Sequence, residues 1–325
     1  MNITEQSYND FFFDLSRGLL RELGSGYETR AITNTKNNGI LRNGILIRRE
    51  NEATAPAIYL DEYYRDFRTG KCLSDIIRQV LYTYHGSADE SKQQFFQDID
   101  FSPEAMRDKV VLRIVNYERN AALLHTMPHI RIFDLAIVFH FMVYQDEDGI
   151  GTVKFTKEHF GAFSDSSDKK TPILTTIDEL YRLALENTQR LFPVKLSALD
   201  DVLEALLAQK GAPPIPFSTS CSDADAARGK LFVLSNMCGI NGSACILYPG
   251  ILTQLTNYFQ SDFYILPSSI HELLLLPISD AFQPEELNDM IREINLTQVP
   301  AEEVLSDRAY HSKDFQQMLR SPGVV

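Results

Sequence analysis

The chain reads as an α+β protein, a mixed sheet with packed helices. Residues 231–277 set apolar strand-like runs around a short helix and a Pro-Ser-Ser-Ile-His-Glu turn. Helical and strand periodicities come in runs, without the regular βαβα alternation of a doubly wound sheet. Hydrophobic residues are 44% and charged residues 23% of 325, near globular averages, so a packed core is expected rather than disorder.

The elements follow in order. Phe11, Leu15, Leu19 and Leu23 recur at four-residue spacing, predicting an amphipathic helix over 7–23 that Gly24-Ser25-Gly26 ends. Tyr27–Thr35 and Ile40–Arg48 alternate around Lys36-Asn37-Asn38-Gly39, a hairpin whose Asn-Gly pair tolerates positive φ. Pro56 opens an expected helix to about Phe67, closed by Gly70, and Ser74 caps another over Asp75–Tyr84. A short helix is admissible around Lys92–Gln97. Ser102-Pro103-Glu104 is a helix start, since Ser caps and Pro suits the first helical position. The following Met106, Val110, Val111, Ile114 and Val115 fit helix or strand.

Phe133–Tyr144 is rich in β-branched and aromatic residues, and a turn at Asp146–Gly149 leads to a second strand ending at Phe155. Thr156 caps a brief helix, and residues 164–172 are the most loop-like polar stretch. Thr176–Leu191 reads as a helix with a Thr-x-x-Glu capping box, and Leu199–Gln209 as another. Residues 211–229 look like an exposed connector. A last helix starts near Pro284 and runs to about Asn295, with one further turn at Asp314–Leu319. Two intimately associated subdomains, 1–125 and 126–325, are a possible division, although no linker composition marks it.

The net charge of −13 disfavours phosphate backbones and anionic lipid, so neither nucleic acid nor membrane is an expected partner. Lys36, Arg42, Arg48 and Arg49 form the densest basic region near the N-terminus, read as solvated hairpin charge. The N-terminal residues carry Glu5, Asp10 and Asp14 where a signal peptide needs apolar ones, and no run approaches 18 apolar residues. A soluble cytoplasmic protein is expected. Cys72, Cys221, Cys238 and Cys245 form no C-x-x-C pair, so neither a zinc site nor a disulfide framework is expected, and no cofactor is implied.

Reactive side chains concentrate at Ser268, Ser269, His271 and Glu272. A serine nucleophile needs a base within reach and an acid behind it. In an extended strand Ser269 and His271 share a face while Glu272 looks away, and no G-x-S-x-G elbow exposes either serine. A structural corner is the plainer reading. His271-Glu272 lacks the second histidine of H-E-x-x-H, because Leu275 stands there. Gly239-Ile240-Asn241-Gly242 reads as a tight turn rather than a phosphate loop. His125, His129, His140 and Asp134 are a metal-ligand inventory, but Met127-Pro128 breaks any helix aligning the first two. Arg113, Asn116, Arg119 and Asn120 fall at helical spacing, as a polar groove or, more plainly, one solvated helix face.

The blocks RIVNYERNAALLHTMPHIRIFDLAIVF (113–139), ELYRLALENTQRLFP (179–193) and LSNMCGINGSACILYPGILTQLTNYFQSDFYILPSSIHELLLLP (234–277) resemble an uncharacterised bacterial domain-of-unknown-function family. The order of elements is also similar to a second uncharacterised bacterial family with an Ala-x-x-Asn helix before a strand–helix–strand. The resemblance runs from about residue 7 to 310. It implies a cytoplasmic α+β protein and supplies no activity.

The function expected from these readings is a soluble binding protein for a protein or peptide partner. The rival is a hydrolase using Ser269 or Ser268 with His271 and a carboxylate from elsewhere, such as Asp134.

Overall fold

The computed structural model describes residues 3–50, 55–87, 100, 102–146, 149–164, 176–208, 211, 214–215, 229–278 and 283–320. The expected helix at 92–97, the polar stretch from 165 on, most of the 211–229 connector and Cys221 lie outside them. It is an α+β fold with three antiparallel sheets. The chain divides into two compact units, Met1–Lys36 with Ile40–Asp100 and Asn37–Gly39 with Phe101–Val325.

In the first unit, helix α1 (Ile3–Leu23) lies with a sheet of order β1 (Tyr27–Thr35), β2 (Leu41–Arg49) and β3 (Ala57–Tyr59). Phe11, Leu15 and Leu19 of α1 bury against Ile45, Ile47 and Ile58, joined by Ile76 and Val80. The helix expected from Pro56 begins instead as a strand: Ala57–Tyr59 pairs with Gly44–Leu46, and the helix α2 follows at Asp61–Arg68. A β-branched Ile58 satisfies a sheet edge as readily as a helix turn, and β2 supplies that edge. Helix α3 (Leu73–Ser87) completes the unit. The basic hairpin charges have local partners: Arg48 pairs with Glu28, Arg42 lies 3.7 Å from Asp61, and Lys36 sits 4.3 Å over the Tyr59 ring.

The second unit carries two sheets. One has the order β4 (Val110–Asn116), β6 (Leu135–Asp146), β5 (His129–Ile132). Strand β6 is long enough to share one edge between β5, at Leu135–Val138, and β7 (Gly149–Lys154), from His140 onward. The stretch 110–116 is thus strand, which its β-branched residues favour once β6 is alongside. Arg113, Asn116, Arg119 and Asn120 accordingly form no solvated helix face: Asn116 and Asn120 are buried, at the end of β4 and in the turn after it. After the short helices α4 (Pro103–Met106), α5 (Ala121–Leu124) and α6 (Lys157–Ser164), helix α7 (Ile177–Leu191) has the expected Thr176–Glu179 capping box. It packs on β4, where Thr188 Oγ1 accepts from Leu112 N at 2.9 Å and Asn187 Nδ2 donates to Val110 O at 3.0 Å.

The other sheet has the order β12 (Tyr310–His311), β10 (Phe263–Leu266), β11 (Leu273–Pro277), β9 (Phe232–Asn236), β8 (Val194–Ala198). One face packs on helix α9 (Ile251–Phe259), with the Phe259 ring 4.9 Å from Phe232 and 5.5 Å from Phe263. On the other face Leu266 and Leu276 bury against Leu287 and Ile291 of helix α10 (Pro284–Thr297). Helix α8 (Leu199–Leu207) follows β8. The segment after the glycine turn is a 3₁₀ helix, Gly242–Leu247, and Cys238 is exposed while Cys245 is buried. The single late turn is a longer helix, Ser312–Leu319, preceded by β12.

Candidate functional site

Residues 267–272 turn the corner between β10 and β11, and the backbone there is tied down on every side. Ser269 N donates to Glu272 O at 3.1 Å, and Ile270 N to Glu303 O at 2.9 Å. Ile270 O accepts from Ser243 Oγ at 2.7 Å, and His271 O from Ser235 Oγ at 2.8 Å. Buried peptide groups need such partners, so these contacts hold the corner's shape.

Ser269 and His271 do meet, but through the backbone: the buried Ser269 Oγ accepts from His271 N at 3.0 Å. The His271 ring turns elsewhere. Its Nδ1 accepts from Asn241 N at 3.1 Å, which puts the proton of the neutral ring on Nε2, 3.7 Å from Glu303 Oε1. Burial lowers the His271 pKa, the Glu303 charge opposes that shift and the Arg113 charge adds to it. Ser268 makes no side-chain hydrogen bond among the described residues; its N–H donates to Leu266 O. Asp134 is occupied on both oxygens, by Ser306 Oγ at 2.8 Å and Tyr310 Oη at 2.5 Å.

Asn241 adopts φ 55, and the glycine after it cannot be replaced without displacement. A Cβ on Gly242 would collide with Ser235 Oγ and stand 2.6 Å from His271 O and 2.7 Å from Asn236 N. The tight turn expected at 239–242 is therefore present, pressed against the corner.

Glu272 points the other way, as strand alternation requires. It lines a cleft of about 330 Å³ together with Lys195, Ser197, Val233 and Ser235. Lys195 pairs across the sheet with Ser235, and Leu234 with Leu273, so Lys195, Ser235 and Glu272 stand in a row over three strands. Burial, then the Glu303 charge, raises the Glu272 pKa. Val202, Ala205 and Leu206 of α8 form one wall, and Met237, Cys238 and Gly239 form the rim. This is the sheet face that α10 covers over β10 and β11 and leaves open over β8 and β9. The cleft was not apparent in the sequence. Its one local signal is the stripe Leu199, Val202, Leu203, Leu206, Leu207, a full apolar helix face of which nothing is buried.

The histidines and Asp134 weighed as a metal-ligand inventory are dispersed. His129 Nδ1 contacts Met127 O at 3.0 Å, His140 is buried beside Thr152, and among the described residues no three His, Cys, Asp or Glu side chains converge as a metal site. Cys72 is exposed and bonds to Asp75 and Ser74. No described helix is long and apolar enough to cross a membrane.

The fold and this corner define an α+β protein with a polar-floored, apolar-walled cleft and a structural Ser-Ser-Ile-His-Glu turn. The chain belongs to DUF5688, a family of unknown function, whose sequence pattern it matches over residues 8–313. No curated protein and no solved structure matches it significantly.

Proposed function

We propose that this is a binding protein that recognises a protein or peptide partner at the cleft between α8 and the β8–β9 face. The observation that carries the reading is the unburied apolar stripe of α8. Leu206 is 67% exposed, Leu207 89% and Met237, across the rim, 56%. Amphipathic helices normally bury such a face, and one left bare beside a cleft fits a docking surface. The cleft volume suits a few side chains, and its Lys195, Ser235 and Glu272 floor offers both donors and acceptors to a peptide. The protein is taken to act in the cytoplasm, in keeping with its acidic composition. The hydrolase alternative gains no support from the His271 ring, which contacts Asn241 and Glu303 rather than a serine hydroxyl.

The test is selection of a displayed random-peptide library on the wild-type protein, followed by affinity measurement on Leu206→Asp. Because α8 buries none of its side chains, the variant keeps its fold, which circular dichroism checks. Convergent peptides that bind Leu206→Asp at least about tenfold more weakly support the reading, a loss of about 1.4 kcal/mol. No enrichment, or enriched peptides indifferent to the substitution, rules it out.

A further inference from the structure

Arg113 is the one charged residue in β4, whose remaining residues are buried and, Asn116 apart, apolar. Its guanidinium is enclosed enough that burial alone pulls its pKa down to about 10, so it stays charged at neutral pH, yet the residue keeps partial solvent contact. A guanidinium carries five N–H donors, and an enclosed one is ordinarily matched by a carboxylate. Among the described residues Arg113 makes one side-chain hydrogen bond, from Nη2 to Thr152 Oγ1 at 2.5 Å, and no carboxylate pairs with it. Glu303 is directed at His271. On its other side Thr152 Oγ1 lies 3.4 Å from His140 Nδ1. The Arg113 charge reaches both histidines: His140 feels it together with Lys154, and His271 feels it against the opposing Glu303.

We infer that Arg113 anchors an oxyanion-binding site, in which the carboxylate or phosphate group of a small ligand docks on the free guanidinium edge beside the Thr152 hydroxyl. The planar fork suits a two-oxygen group of either kind. Thr152 accepts from Arg113, and its own proton can turn from the long 3.4 Å contact with His140 Nδ1 to the ligand. The site is separate from the α8 cleft and stands without it.

Sodium phosphate and sodium acetate are titrated in turn into the full chain at constant ionic strength, with sodium chloride as balance, and read by thermal shift and calorimetry. A saturable rise in Tm with either salt is expected, and which one acts identifies the group. Arg113→Met should abolish the response and, without anion, melt no lower than wild type, because it removes an enclosed charge that lacks a partner. Thr152→Val should keep the fold and raise the apparent Kd at least tenfold. A flat titration, a response that survives in Arg113→Met, or an anion-free Arg113→Met that melts below wild type overturns the inference. Should Arg113→Met fail to fold, an unchanged Kd in Thr152→Val overturns it as well.

Discussion

His140 is the side chain whose chemistry most depends on where the fold has put it. It sits on β6 across from Val111 and Lys154, and burial, then the charges of Arg113 and Lys154, push its pKa well below the usual histidine value. The unfolded chain takes up this proton near pH ~6.5 while the folded chain resists it. Protons therefore favour the unfolded state as pH falls through that value, and the stability present above it is lost. His271 shifts in the same direction through burial, against the opposing Glu303 charge. Glu272 has the opposite sign: its raised pKa means that protonation above the ordinary carboxyl value favours the folded state. Tm should thus fall between about pH 7 and pH 5, and His140→Gln should flatten that slope. Melts of both proteins at three pH values check it. An unchanged slope in the variant would assign the proton uptake elsewhere.

Among the elements, the junction of β9, the 3₁₀ helix and the β10–β11 corner is the most tightly constrained. Gly242→Ala forces a methyl group toward the Ser235 hydroxyl and two backbone atoms, and the backbone atoms cannot swing aside. We expect a loss of about 1–3 kcal/mol in urea denaturation, as for other overpacked sites. Ser268→Ala, in the adjoining β10–β11 corner, should stay within about 0.5 kcal/mol. Equal effects would mean that the crowding relaxes at no cost. What could be read from the sequence at this scale was what is decided locally. Thr176 and Glu179 mark a helix start three residues apart, and Asn38-Gly39 supplies the two positive φ values of its turn. Strand β3 and strand β4 were not fixed in this way, since Ile58 and Val110–Val115 become strand only because β2 and β6 lie beside them. The corner at 268–272 was legible as a turn leading into a strand. The cleft was not, because Lys195, Ser235 and Glu272 are brought into one row by pairing of three strands far apart in the chain. Arg113 was misread for the same reason, its spacing to Asn116 and Asn120 mimicking a helix.

At the scale of the molecule, each unit has a hydrophobic core of its own. Phe11, Leu15, Leu19, Ile45 and Ile47 make up one, and Leu266, Leu276, Leu287 and Ile291 belong to another. Leu15→Ala should cost about 2–5 kcal/mol. Hydrogen exchange should rise across residues 11–84 of the first unit and stay low in β9, since cooperative opening follows contiguous packing. A uniform rise through both units would instead reveal one unfolding event. The order of the five-stranded sheet has a consequence for synthesis. Strand β12 covers β10, and Ser312 Oγ just beyond it accepts from Phe263 N, yet β12 is made after every other strand of that sheet. Until Tyr310 clears the ribosome, β10 waits with a bare margin of amides and carbonyls, open to whichever neighbouring nascent chain offers a strand first.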